Sequence, residues 1–503
     1  MKKTIKKVVI LGGGTAGWMS AAFLKKMLPE GTAVTLVESE AIGTVGVGEA
    51  TIPPIQAFNN KLGIDERQFI QETKATMKLA IKFENWKKQG QSYFHTFGAP
   101  GRDTTFCQFH HYLARAKKQG LVDPSEDIWH YDLNAMSAEA GKFAKINSER
   151  PMLKLPYAYH FDAGLYAAFL RKFSENLGVK RIEGKVNKVT QCQLSGDVES
   201  LILESGESIS GDLFIDCSGL AALLIEKTLG AGFDDWSKYL PCNSAVAVAS
   251  ERLDVTLPYT RSIAHSSGWQ WRIPLQHRNG NGLVYSDSHY SDEQALDLLM
   301  SNLDTKAVSD PKTFKFTTGR RLKPWYKNVV AIGLSAGFLE PLESTSIHFI
   351  QSGLSRLLHL FPNGEIFPAL SEKYNQLTEL EYTQVRDFLV LHYHQNERTD
   401  SDFWLDLQHM ELPERLVNKL SLFKEQGLIF RDQNDLFLEA SWLQVMVGQG
   451  LSAQEYHCLA DSMPEAQLLN MLRRIKDVKQ TALSQLPSHD QYIINTLNAA
   501  KRA

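Results

Sequence analysis

Between Val8 and Glu38 the chain changes its hydrophobic period twice. Val8-Val9-Ile10-Leu11 is an unbroken apolar run, the pattern of a strand covered on both faces. Trp18 to Leu28 follows a helical period, and Ala33 to Val37 is a second apolar strand ending at Glu38. Together they predict a βαβ unit. Two further strands end in small residues: Asp212 to Asp216 before Cys217-Ser218-Gly219, and Val329 to Ile332 before Gly333 to Gly337. Val186 to Ile209 reads as a meander. Gly268 to Pro274 reads as a strand with Trp269 and Trp271 on one side. From about residue 355 the pattern is largely helical. The string ETKATMKLAIKFENW spaces Lys74, Lys78 and Lys82 at i, i+4, which predicts the solvated face of a helix. Met77, Leu79, Ala80, Ile81 and Phe83 surround Lys78, however, so that lysine either snorkels or is held for chemistry. Tyr93 to Gly98 follows, with alternating aromatics.

Composition narrows the function classes. Of 503 residues 43% are apolar and 22% charged, ordinary for a soluble enzyme with a large core. A net charge of -3 gives no electrostatic case for a nucleic-acid or membrane partner. Five scattered cysteines with no C-x-x-C pair argue against a disulfide framework or a structural zinc. The opening is basic and then apolar, but the run Val8 to Leu11 is too short for a secretory leader, and the expected location is the cytoplasm. The histidines lack a ligand framework, so no metal is expected. Ser, His and Asp are too plentiful in the chain to argue for a hydrolase.

The glycines carry the first chemical signal. Gly12 to Gly17 reads G-x-G-x-x-G between the first strand and its helix. Gly12 permits a tight turn, Gly14 lets backbone approach a pyrophosphate, and Gly17 lets helix pack on strand. Thr15 and Ala16 sit at the helix start, and Glu38 is placed for a ribose hydroxyl. The glycine-rich stretch Ala41 to Pro54, with Gly48, Glu49 and Ala50, can lie flat against a ligand. With the two later strand-plus-small-residue units, this order suits extended FAD. No second nucleotide motif for NAD(P)H is present. The stretch Asn328 to Gly353 ends a strand in glycines, passes Glu340-Pro341-Leu342-Glu343, and enters a helix behind Ser344-Thr345-Ser346. Such a start is either a hydroxyl-capped helix or an anion site made of backbone N–H groups.

Together these strings resemble the flavin-dependent halogenases of the tryptophan-halogenase family. The matches are GGGTAG at Gly12 to Gly17, GVGEATIP at Gly46 to Pro53, Lys78 in MKLAIKFENW, His160-Phe161-Asp162, Asp216 to Gly219, GWQWRIP at Gly268 to Pro274, and EPLESTSI at Glu340 to Ile347. They run in family order. W-x-W-x-I-P is the family's mark against other flavin monooxygenases.

The resemblance implies an α/β fold. It has an FAD-binding Rossmann-like domain of the GR2, flavin-monooxygenase type, with added β-sheet and a mostly helical C-terminal region. Residues 1–355 would form the FAD and halogenation domain, and residues 356–503 helices covering the substrate pocket. It implies a two-component enzyme. A separate NAD(P)H-dependent reductase supplies FADH2, O2 and chloride or bromide give hypohalous acid, and this passes to Lys78, which hydrogen-bonds it or carries it as a haloamine. Glu343 stabilises or deprotonates the cationic ring intermediate. By the same matching, backbone at Thr345 and Ser346 holds halide, Leu334 and Ile347 contact flavin, and Val186 contacts the adenine end. Trp269 and Trp271 shield the flavin, and His95 and Phe97 sandwich a small aromatic substrate. Trp442 is expected to help close the pocket. Two departures stand out. Ser346 replaces a glycine frequent in the family, and Leu428 to Trp442 lacks a tyrosine pair that grips the amino-acid group of free tryptophan. The expected substrate is therefore indole or an indole derivative. Free tryptophan, or a flavin hydroxylase reaction, are the alternatives. A monomer or homodimer is expected.

Overall fold

The computed structural model describes residues 5–42, 48–148 and 150–500. The chain weaves between two compact units. One comprises Met1–Ala75, Phe161–Ser244 and Phe314–Thr383, the other Thr76–His160, Ala245–Thr313 and Gln384–Ala503.

The first unit is built on a six-stranded sheet in the order Trp325–Tyr326, Val329–Ala331, Leu213–Asp216, Lys7–Leu11, Ala33–Glu38, Lys180–Glu183. All neighbours are parallel except the outermost pair at Trp325–Tyr326. The central strands are buried along their length, as their unbroken apolar runs require. Helix Thr15–Met27 returns from the first strand to the second. Register aligns Leu11 with Asp216 and Asp216 with Ala331, so three parallel strands end at one level. The turns leaving them, at Gly12, Cys217 and Gly333, therefore share the carboxyl edge of the sheet, where open α/β sheets bind ligands.

Close packing at that edge depends on missing side chains. Gly12 has φ +115°, and a Cβ there would lie 2.3 Å from the Cys217 carbonyl oxygen. A Cβ on Gly17 would lie 1.8 Å from the Gly12 carbonyl oxygen, so helix and strand meet only through glycine.

In the second unit, six consecutive strands of a seven-stranded sheet stand in the order Ser244–Glu251, Arg278–Tyr285, Gly268–Pro274, Tyr259–His265, Ala80–Glu84, Ser92–Thr96. The pairing of Tyr259–His265 with Ala80–Glu84 is parallel and that of Ser92–Thr96 with Ala80–Glu84 antiparallel. The helical stretch beyond residue 384 includes Asp402–Gln408, Glu414–Gln426, Glu439–Gly448, Glu465–Gln485 and His489–Ala500.

The lysine spacing does not mark a helix. Glu66–Glu72 is helical, but Lys74 adopts φ +54° and the chain continues as strands Thr76–Lys78 and Ala80–Glu84. A separation of four fits one face of a helix and one face of a strand equally. The β-branched and aromatic neighbours of Lys78 and Lys82, which fit a pleated surface, side with the strand.

Gly12→Ala should lower unfolding free energy by about 2–4 kcal/mol, from the left-handed backbone and the carbonyl clash together. Gly14→Ala, at a position with open space around the added methyl, is the control and should be near neutral. Denaturant midpoints measure both; equal small shifts would show that the Gly12 turn relaxes freely.

Candidate active site

The first turn after strand Lys7–Leu11 is arranged to receive an anion. Helix Thr15–Met27 starts at Gly14, an N-cap with no side-chain hydrogen bond. The N–H groups of its first turn, including those of Thr15, Ala16 and Gly17, are the donors a helix leaves open. A Cβ at Gly14 would meet nothing within 4 Å, whereas one at Gly13 would fall 1.5 Å from Oε2 of Glu38. Glu38 thus lies directly against the glycine turn. Its Oε1 accepts from Nε of Arg181 at 2.5 Å, which fixes the carboxylate at the sheet edge. Gly48 has φ +113°, and Glu49–Ala50 forms a short strand. Burial pushes the Glu49 carboxyl up to about 7. Gly46 and Val47 of the matching string lie outside the described residues. Val186 begins strand Val186–Gln191 and packs half-buried against the apolar cluster behind the sheet.

At the third strand end, Gly333 turns at φ +76°, and a Cβ there would lie 2.8 Å from the Ala16 Cβ. The turn Gly333–Ser335, which carries Leu334, is thereby brought against the start of helix Thr15–Met27. Ser335 Oγ donates to the Asp216 carbonyl and ties the second and third strand ends together. The chain then runs through the short helix Pro341–Glu343 to Ser344, whose φ of +59° is unusual for a residue with a side chain. Glu340, Glu343, Thr345 and Ile347 are all buried. Thr345 is the N-cap of helix Ser346–His359 but makes no capping bond. Its backbone is already helical, at φ -91° and ψ -9°, rather than in the extended form from which a hydroxyl reaches back. The expected hydroxyl cap is absent. The Thr345 Oγ1 is buried with no hydrogen-bond partner.

That helix is anchored by a charged cluster. Glu381 Oε1 lies 3.1 Å from His348 Nε2, and its Oε2 accepts from Ser352 Oγ at 2.9 Å and Arg356 Nη2 at 2.8 Å. Burial by itself would raise this carboxyl, but the hydrogen bonds and charge of His348 and Arg356 outweigh it and hold it at about 2.

In the second unit Lys78 ends strand Thr76–Lys78 with 0% exposure, and its ammonium lies over the Phe97 ring, 5.4 Å from the centroid. A buried ammonium is expensive unless partnered, and a desolvated cation–π contact returns about 2 kcal/mol. His160, opposite Thr76 on the paired strand, is buried between the hydroxyls of Thr76 and Thr260 at 3.1 and 2.9 Å. Burial first, and the Lys78 charge second, hold its imidazole well below the usual range, so it is neutral. His95 and Trp442 are brought into one aromatic group, while Phe97 faces the Lys78 ammonium. His95 lies 5.5 Å from Phe388, which stacks on Phe437 at 3.8 Å and meets Trp442 edge-on at 4.9 Å. Phe388 is the member that spacing alone does not single out. It belongs to helix Pro368–His394, and no local signal ties it to residues 49 and 54 positions further on. Trp269 and Trp271 are both buried with ring centroids 6.1 Å apart. A Cβ on Gly282 would lie 2.0 Å from the Trp271 ring, so that ring lies flat over the neighbouring strand.

Beside the stack, charged side chains pair with one another. Arg415 lies 3.2 Å from Asp387, 3.4 Å from Asp432 and 3.6 Å from Asp435. Lys419 pairs with Asp432 at 3.0 Å and covers the Trp442 ring at 4.9 Å. Among the described residues no group of three or more His, Cys, Asp or Glu is placed to hold a metal ion, and no helix is long and apolar enough to cross a membrane.

The Glu381 cluster yields a pH prediction. Its carboxyl sits at about 2 when folded, against an ordinary 4.5. The stabilisation is thus fully present above pH 4.5 and is lost as pH falls toward 2, amounting to about 3 kcal/mol in all. Wild type should therefore exceed Glu381→Gln in stability at pH 6, with the gap narrowing steadily below pH 4.5. Urea unfolding across this range measures it, and a gap independent of pH would place the effect elsewhere.

The family model for tryptophan halogenase matches residues 7–465. The chain is 34% identical to tryptophan 6-halogenase SttH of Streptomyces toxytricini, with 97% of each chain covered. Among solved structures it superposes on Xcc4156, a flavin-dependent halogenase from Xanthomonas campestris, with TM-score 0.95 and 45% identity over 98% of this chain and 99% of that one. BrvH, a flavin-dependent halogenase from Brevundimonas sp. BAL3, gives TM-score 0.93 and 41% identity over the same shares. With the glycine edge, the W-x-W-x-I-P strand and the buried lysine in one chain, and with similarity over its whole length, this protein belongs to the tryptophan halogenase family and is a flavin-dependent halogenase.

Proposed function

We propose that this enzyme halogenates a small, electron-rich aromatic ring, an indole without a free amino-acid group, using chloride or bromide and FADH2 delivered by a separate flavin reductase. The observation that carries the reading is Lys78: a fully buried ammonium over the Phe97 ring, in a unit that also stacks His95, Phe388, Phe437 and Trp442. Flat apolar faces suit an indole. The charged side chains next to them already pair through Arg415 and Lys419, so an α-ammonium and carboxylate would have to compete with existing ion pairs.

The first unit fits a bound flavin dinucleotide. The uncapped start of helix Thr15–Met27 suits a pyrophosphate, and Glu38, held against Gly13, suits a ribose. Gly12, Gly14, Thr15, Ala16 and Gly17 would hold the phosphates. Gly48, Glu49, Ala50, Leu334 and Ile347 would contact the cofactor further along, with Val186 at the adenine end. Bound as FADH2, the flavin supplies the electrons with which O2 converts halide to hypohalous acid. Trp269 and Trp271 exclude organic substrate from that chemistry. Thr345 and Ser346 hold the halide by backbone N–H groups, and the buried Thr345 hydroxyl without a partner supports an anion there. Amide donors suit this role because they bind the halide without a full countercharge that would blunt its nucleophilicity.

The chain's own groups then move two protons. Lys78 hydrogen-bonds hypohalous acid. As the ring attacks halogen and the oxygen–halogen bond breaks, Lys78 donates a proton to the departing hydroxide, giving water. Glu343 meets the positive charge on the ring and takes the proton from the halogenated carbon. The sum is arene plus hypohalous acid to haloarene plus water.

Incubation with a flavin reductase, NADH, FAD, chloride or bromide, and a panel of indoles and free tryptophan, read by mass spectrometry, tests the reading. Halogenated indoles are expected, with free tryptophan the poorer substrate. Hydroxylated products alone would overturn it. Lys78→Ala should reduce halogenated product by about 10²-fold or more, while FAD binding followed by fluorescence stays unchanged. Retained halogenation would remove Lys78 from its role.

A further inference from the structure

Strand Ser92–Thr96 is the last in its sheet, so one side of its backbone has no neighbouring strand. Two of the outward groups are nevertheless occupied. Trp129 Nε1 donates to the Phe94 carbonyl at 2.7 Å. Gln444, fully buried on helix Glu439–Gly448, accepts from the Thr96 N–H at 2.8 Å and donates to the Gly98 carbonyl at 3.3 Å. One side-chain amide thus bridges the backbone of residues i and i+2 just where the strand ends. The residue it brackets is Phe97, whose own N–H donates to the Leu79 carbonyl at 3.1 Å, next to Lys78. The same helix packs tightly here, since a Cβ on Gly448 would lie 2.3 Å from the Tyr93 ring.

We infer that Gln444 is a positioning residue for halogenation: its amide fixes the Thr96-Phe97-Gly98 backbone and thereby holds the Phe97 ring against the Lys78 ammonium. This rests on the reading of Lys78 as the group that receives hypohalous acid. Two residues from Trp442, Gln444 also ties the helix bearing that aromatic wall to the strand bearing His95 and to Phe97 just past its end. Loss of the amide leaves the buried Thr96 N–H without its partner and the Gly98 carbonyl with only a long bond from Thr96 Oγ1 at 3.5 Å, and the Phe97 peptide shifts to recover them. Lys78 remains chemically intact, but the ring no longer presents squarely to it, and oxidant escapes before it meets the substrate.

The test is Gln444→Leu, assayed for halogenated indole per flavin oxidised, with free hypohalous acid captured by a soluble 1,3-diketone. Product per flavin should fall roughly tenfold to a hundredfold, as a small misplacement of reacting groups does, while trapped oxidant rises and flavin oxidation keeps its rate. Gln444→Glu keeps the acceptor for Thr96 but sets a carboxylate against the Gly98 carbonyl. It should uncouple to a similar degree, and it serves if the leucine variant folds poorly. In a double mutant with Phe97→Leu, Gln444→Leu should add little, because both act through one ring. Unchanged coupling in a folded variant, or full additivity with Phe97→Leu, overturns the inference. A wild-type enzyme that makes no halogenated product would instead overturn the underlying reading of function.

Discussion

A buried ammonium organises one unit of this protein. Lys78 has no exposure, and a lysine withdrawn from water tolerates few kinds of neighbour. It needs a negative or quadrupolar face, which Phe97 offers, and it must not meet another cation. His160 is accordingly neutral, wedged between two threonine hydroxyls. The strands around it are rigid because the sheet, Asn134 and Gln444 take up their backbone groups. Asn134 Nδ2 donates to the Leu79 and Pro156 carbonyls on either side of this region. A positioned charge in a dry site interacts strongly with whatever polar molecule approaches it, which makes such a lysine useful for chemistry and costly for stability.

At its strand ends and helix starts the other unit presents backbone N–H groups without a capping side chain. Three parallel strands end at one level, and glycines at Gly12, Gly17 and Gly333 let backbone and helix start come together. Helix Ser346–His359 begins without a capping bond, and its own basic side chains, His348 and Arg356, are held by Glu381. What remains at that helix start is a set of N–H dipoles beside the strained turn at Ser344. Strain of this kind persists only where surrounding structure enforces it. Here the buried run from Glu340 to Ile347 does so.

Much of this was legible in the sequence because its signals are local. The βαβ unit announces itself in an apolar run, a glycine spacing and an acid, all within about thirty residues. The strand Gly268–Pro274 falls where the tryptophan pair predicts it. The lysines were misleading for a definite reason: a period of four is even, so it satisfies a strand as well as a helix. The hydroxyl cap failed because a residue type does not reveal its dihedral angles, and Thr345 is already helical. The Gln444 bracket was invisible, since it joins residues more than three hundred positions apart and glutamine carries no motif. The same holds for the bond from His348 on one helix to Glu381 on the next.

The bracketed edge of strand Ser92–Thr96 bears on what kinds of molecule this enzyme can recognise. Exposed sheet edges are where extended peptides dock, by adding a strand through backbone hydrogen bonds. Here the outward carbonyl of Phe94 and the outward N–H of Thr96 are already taken by Trp129 and Gln444. A polypeptide cannot zip onto this edge without first evicting the half-buried Trp129 and the buried Gln444. Strand addition at this edge is therefore closed to an extended peptide, and a tryptophan embedded in a protein chain would have to be presented by some other surface.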